Sequence, residues 1–132
     1  MEAGDAAEWL IHAESDLTYA KIGRSQPAVL RGQVAFHAEQ AAEKALKAVL
    51  IQTGVEFPRT HVQSLLRLLR NSEISVRQDI EQASALTRFA VEARYPGDIE
   101  PITPEEVAQA IEVAERVVAW ARGQISDVSG TR

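Results

Sequence analysis

The chain has 132 residues, the size of one domain that buries roughly two-thirds of the surface its unfolded form exposes, and it contains no cysteine, which excludes disulfides, zinc–thiolate centres and thiol nucleophiles. The net charge of −5 argues against a general nucleic-acid coat, although residues 21–95 carry a local basic excess between two acidic ends. No apolar run approaches the ~20 residues of a membrane span, and the acidic N-terminus MEAGDAAEWL lacks the positive region of a signal peptide, so a cytoplasmic protein is expected.

The first expected helix starts after Asp5, with Glu8 at capping-box spacing. Trp9, Ala13, Leu17 and Ala20 form its apolar stripe. Gly23 can end it and Pro27 blocks its continuation. A second helix is expected from about Val29 to Thr53, with Gly54 where a cap glycine belongs. Thr60 with Gln63 opens a short third helix through VQSLLRLLR, and Ser75 with Gln78 opens a fourth along Ile80, Ala83, Thr87 and Ala90. The loop RYPGDIEPI follows. Thr103, Pro104 and Glu106 then start a last helix that buries Val107, Ala110, Ile111, Ala114, Val117, Val118 and Ala121, with Gly123 expected to end it. No segment alternates with period two. The expected fold is all-α: a single up-and-down bundle of about five helices over residues 1–132, with a core at about 7–122 and a frayed tail at 123–132.

The second helix has two unlike sides. At ~100° per residue, Val34, Ala38, Ala41, Ala42, Ala45, Ala48 and Val49 share one arc. Gln33, Phe36, His37, Gln40, Glu43, Lys44 and Lys47 share the other. Phe36 is a large ring among polar neighbours, which suits a helix–helix interface between subunits better than bare solvent. Gln40, Lys44 and Lys47 are spaced to point the same way and could hold a phosphate or an acidic partner. An ordinary solvated face is the alternative.

The stretch FHAEQAAEKALKAVL, followed by TGVEFPRTH, SLLRLL, ARYPGD and TPEEVAQAIEVAERVV, resembles the HEPN domain family over about residues 7–122. The resemblance implies a helical bundle that dimerises, a minimal nucleotidyltransferase as partner in a toxin–antitoxin-like module, and nucleotide binding. It also implies an alternative, a metal-independent endoribonuclease with an Arg-x(4–6)-His motif completed across a dimer. Arg31 and His37 form Arg-x5-His here. His37 would move a proton at the ribose 2′-hydroxyl or the leaving 5′-oxygen, and Arg31 would stabilise charge developing on the phosphate. Many active members carry a tyrosine two residues after the histidine, where Glu39 stands in this chain. An Arg-Tyr-Pro stretch recurs among similar proteins at the place of Arg94 and Tyr95; there Tyr95 could stack on a base of RNA or a nucleotide and Arg94 could hold a phosphate. His61 fits a loop hydrogen bond, His12 an exposed position, and Trp9 and Trp120 the core. Neither a glycine-rich phosphate loop nor a metal-ligand cluster is visible, so no cofactor and no metal is expected.

Overall fold

A computed structural model describes residues 5–57, 62–72, 74–92 and 101–130. Helix α1 spans Ala6–Arg24 and opens with the expected capping box. The Asp5 carboxylate accepts from the Glu8 amide at 2.8 Å, and the Glu8 carboxylate accepts from the Asp5 amide at 3.1 Å. Gly23 does not end α1. It is buried in the last turn, where a Cβ would come within 3.2 Å of Val34 Cγ2 and 3.3 Å of Val29 Cγ1. The glycine lets α2 approach closely, and α1 runs one residue further before Ser25 caps it.

Helix α2 spans Arg31–Gln52. It begins two residues later than expected because Leu30 is extended and serves as the N-cap. Its end follows the sequence: Val55 donates to the Leu50 carbonyl and Gly54 to that of Ile51, with Gly54 at φ +77. Ala35, Ala38, Ala41, Ala42, Ala45 and Ala48 are all fully buried. Helix α3, Val62–Asn71, buries Val62, Leu65, Leu66 and Leu69. The expected cap at Thr60 lies outside the described residues, as does His61.

The fourth segment differs from the single helix expected from Ser75. It consists of α4 (Gln78–Glu81), a 3₁₀ stretch (Gln82–Leu86) and α5 (Thr87–Glu92). Arg77, not Ser75, is its N-cap, and no side chain caps the start. The tighter 3₁₀ turn stacks positions three apart, which brings both Ala83 and Leu86 inward. Helix α6, Pro104–Gly130, opens with reciprocal bonds between Thr103 and Glu106 of 2.9 and 3.0 Å. It does not stop at Gly123 but continues to Gly130. A helical glycine in open space costs only about 1 kcal/mol. A Cβ at Gly123 would meet nothing within 4 Å, so no neighbour forces a turn there.

The contacts fix the helix directions. Gly23 lies against Val34, Asp16 against Lys44 and Trp9 against Lys47, so α1 and α2 are antiparallel. Lys21 pairs with Glu115 and Glu14 with Arg122, so α6 also runs antiparallel to α1. These three helices form the main body, while α3 and the interrupted segment pack on α2. No strand occurs among the described residues.

Candidate functional site

The polar arc of α2 is not one surface. It divides into two clusters, and α1 supplies the residue that organises the first. Asp16 Oδ1 lies 3.0 Å from His37 Nδ1, and Asp16 Oδ2 accepts from Lys44 Nζ at 2.6 Å. The three side chains retain 15 to 26 % exposure. The His37 ring stacks against Tyr19 at a centroid distance of 4.3 Å, and Phe36 meets it edge-on at 5.5 Å. Asp16 and Tyr19 are functional candidates that the helical wheel of α2 could not supply. Their signal in the sequence is only that Asp16 borders the apolar stripe of α1, one residue before Leu17.

The second cluster is buried. Lys47 Nζ donates to Glu43 Oε2 at 3.0 Å and lies 5.2 Å from the Trp9 ring centre and 5.9 Å from that of Phe57. Gln40 Nε2 donates to Glu39 Oε1 at 2.7 Å. Glu39 is fully buried and its Oε2 has no hydrogen-bond partner among the described residues. Burial, reinforced by the nearby Glu43 charge, pushes the Glu39 carboxyl up to about 8, while the Gln40 hydrogen bond and the Lys47 charge act in the opposite direction. Gln40, Lys44 and Lys47 thus have partners inside the chain, and Lys47 turns inward rather than outward.

Arg31 stands at the first position of α2, and its guanidinium donates to the Ile102 carbonyl at 3.2 Å. His37 is held by α1 instead, so different elements anchor the two residues of the Arg-x5-His pair. Arg94 and Tyr95 lie outside the described residues. No three His, Asp or Glu side chains converge as a metal site would require among the described residues. A separate cavity of about 440 Å³ lies between the 3₁₀ stretch and α5 on one side and α6 on the other, lined by Gln82, Arg88, Phe89, Glu106 and Gln109 among others. The Arg88–Glu106 ion pair crosses its wall at 3.3 Å.

The family model of the HEPN domain matches residues 6–124. The chain belongs to the HEPN domain family. Two solved structures support the same assignment. An archaeal HEPN homologue is 30% identical with a TM-score of 0.74, over 92% of this chain and 98% of its own. A Thermus thermophilus protein is 26% identical with a TM-score of 0.75, over 90% and 97% of the two chains. No curated protein matches the chain. In this HEPN domain no helix among the described residues is long and apolar enough to cross a membrane.

Proposed function

We propose that this HEPN protein acts in the cytoplasm as a homodimeric binding partner of a minimal nucleotidyltransferase, in a toxin–antitoxin-like module, with a nucleotide as a further ligand. The observation that carries this over catalysis is the separate anchoring of Arg31 and His37: the guanidinium is engaged at Ile102, while the imidazole is engaged at Asp16 and Tyr19. The overall charge of −5 also disfavours an RNA-gripping surface.

One observation favours the alternative of a metal-independent ribonuclease. Asp16 against Nδ1 of His37 is the arrangement that orients an imidazole, leaving Nε2 to act as a base. In that case Asp16 is a positioning residue and the part-exposed His37 the catalytic one.

Incubating the purified protein with RNA in chelator, beside an affinity measurement with a nucleotidyltransferase encoded next to it, separates the two. The binding proposal expects a stable complex and no cleavage. RNA cleavage by the wild type that disappears in His37→Ala, with the fold intact by circular dichroism, overturns it in favour of the nuclease.

A further inference from the structure

The cavity beside α6 takes no part in the function proposed above, and its lining is of two kinds. Leu86, Phe89, Ala110 and Val113 make an apolar floor, each at most 5% exposed. The tight 3₁₀ turn builds this floor by bringing Leu86 inward, and α5 adds Phe89 three residues later. Gln82, Arg88, Glu106 and Gln109 form a polar rim around it. A volume of about 440 Å³ with an apolar floor and a few polar groups suits a small molecule.

The rim carries one fixed charge of each sign. Arg88 Nη1 donates to Glu106 Oε2 at 3.3 Å, and the two side chains keep 39 and 37% exposure, so a ligand can reach both. Each is held in place from behind. The Arg88 guanidinium lies 4.7 Å from the Phe89 ring centre, at the edge of the floor. Glu106 is tied to Thr103, whose amide donates to Oε1 at 2.9 Å. That bond, with the Arg88 charge beside it, keeps the carboxyl below its ordinary range, so both members of the pair are charged at neutral pH. Gln82 Oε1 accepts from Arg116 at 3.2 Å, which leaves the Gln82 amide N–H groups as donors.

This charge pattern selects among ligands. A phosphate or a nucleotide that reaches Arg88 meets the Glu106 carboxylate 3.3 Å away. A lone ammonium that reaches Glu106 meets Arg88 in the same way. A purely apolar molecule covers the floor but strips water from an ion pair that it cannot serve. A zwitterion serves both charges. An α-amino acid bears its ammonium and carboxylate on one carbon, about 3 Å apart, which matches the span of the Arg88–Glu106 pair. Its carboxylate accepts from guanidinium N–H groups of Arg88, and its ammonium donates to Glu106. Its side chain then lies on Leu86, Phe89, Ala110 and Val113. We propose that this cavity binds a free α-amino acid with a large apolar side chain. It is a ligand site additional to the function proposed above, on elements other than the α1 and α2 residues of the Asp16–His37 cluster.

Two-dimensional amide NMR spectra of the isotope-labelled protein, titrated with L-leucine and with L-phenylalanine, test it. Both should shift the resonances of Arg88, Phe89, Glu106, Gln109 and Val113, and the shifts should saturate at millimolar concentration or below. N-acetyl-L-leucine and L-leucinamide each lack one charge and should bind about tenfold more weakly or worse. Glycine keeps both charges but has nothing to lay on the floor, and should also bind about tenfold more weakly or worse. Arg88→Gln and Glu106→Gln should each weaken L-leucine by a similar factor; glutamine at Glu106 still completes the capping box, and the spectra report whether the fold is kept. The absence of a saturable shift with either amino acid overturns the proposal. N-acetyl-L-leucine or L-leucinamide binding as tightly as L-leucine overturns the zwitterion and the role of the ion pair with it. Undiminished L-leucine binding in a folded Arg88→Gln variant does the same. Adenosine monophosphate shifting these same residues, and displacing L-leucine from them, assigns the cavity to a nucleotide and overturns the proposal as well.

Discussion

Helix α2 carries a carboxylate–cation cluster on each flank, and the two are built on different electrostatic terms. Toward α1, one carboxylate, Asp16, serves His37 and Lys44, and all three side chains keep some contact with water. On the other flank two carboxyls, Glu39 and Glu43, stand near one ammonium, that of Lys47, and the three residues are buried. Water can replace any partner in the first cluster, so a ligand or another subunit could do so too. In the second cluster water cannot, and the surplus carboxyl is kept neutral by the fold. Residues of the same types, one helical turn apart, are thereby divided into a surface available for binding and an internal polar knot.

Removing the ammonium should break the buried knot most severely. Lys47→Met keeps the aliphatic stem but leaves two buried carboxyl groups close together, and is expected to cost about 3 kcal/mol in denaturant unfolding. Combining it with Glu43→Gln should recover most of that loss. A cost below about 1 kcal/mol for Lys47→Met would put the knot on the same footing as the open cluster.

The surplus carboxyl gives the next largest effect. The Glu39 carboxyl is raised in the folded chain from the ordinary 4.5 to about 8, so the folded state holds a proton that the unfolded state releases. Its stabilising contribution is fully present below pH 4.5 and is lost as the pH rises through about 8. Over that window this group alone should lower stability by up to about 1.4 kcal/mol per pH unit. Glu39→Gln should flatten the profile there and be more stable than the wild type at pH 9 by on the order of 2 kcal/mol. Parallel pH profiles for the two proteins would show that Glu39 does not titrate as its burial requires.

The parts of the fold legible in the sequence are those decided within a few residues. The Asp5–Glu8 and Thr103–Glu106 boxes and the Gly54 cap are local hydrogen-bond patterns, and each forms as the residues predict. Gly23 and Gly123 look alike in sequence as helix stops, yet one is wedged against Val29 and Val34 and the other faces open space; what stands opposite a glycine is a tertiary fact. The start of the fourth segment was illegible for a related reason, since inward packing of Ala83 and Leu86 outweighs the Ser75–Gln78 pattern. The same limit governs the site. The periodicity of α2 identifies His37, Gln40, Lys44 and Lys47 as one polar arc, but it contains no information about Asp16, twenty-one residues away, or about the walls that bury Glu39 and Lys47. Arg94 and Tyr95 gain no geometry, since they lie outside the described residues.

The smallest effect tests the open cluster itself. Lys44→Ala removes an ion pair of 2.6 Å whose members keep 26 and 15 % exposure, and leaves Asp16 its bond to His37. Solvent screens such a pair, and water can take the vacated lone pairs, so the cost should be below about 1 kcal/mol at low salt. Raising the salt to ~1 M shortens the screening length to about 3 Å and should erase most of that cost. The loss in Lys47→Met should persist in the same salt, because the groups it exposes to each other have no ions between them. Thermal or denaturant melting of both variants at low and high salt therefore sets the two flanks of α2 against each other in one experiment. If Lys44→Ala costs as much as Lys47→Met, or keeps its full cost at high salt, the α1 flank is as closed as the other and loses its standing as the surface a partner reaches.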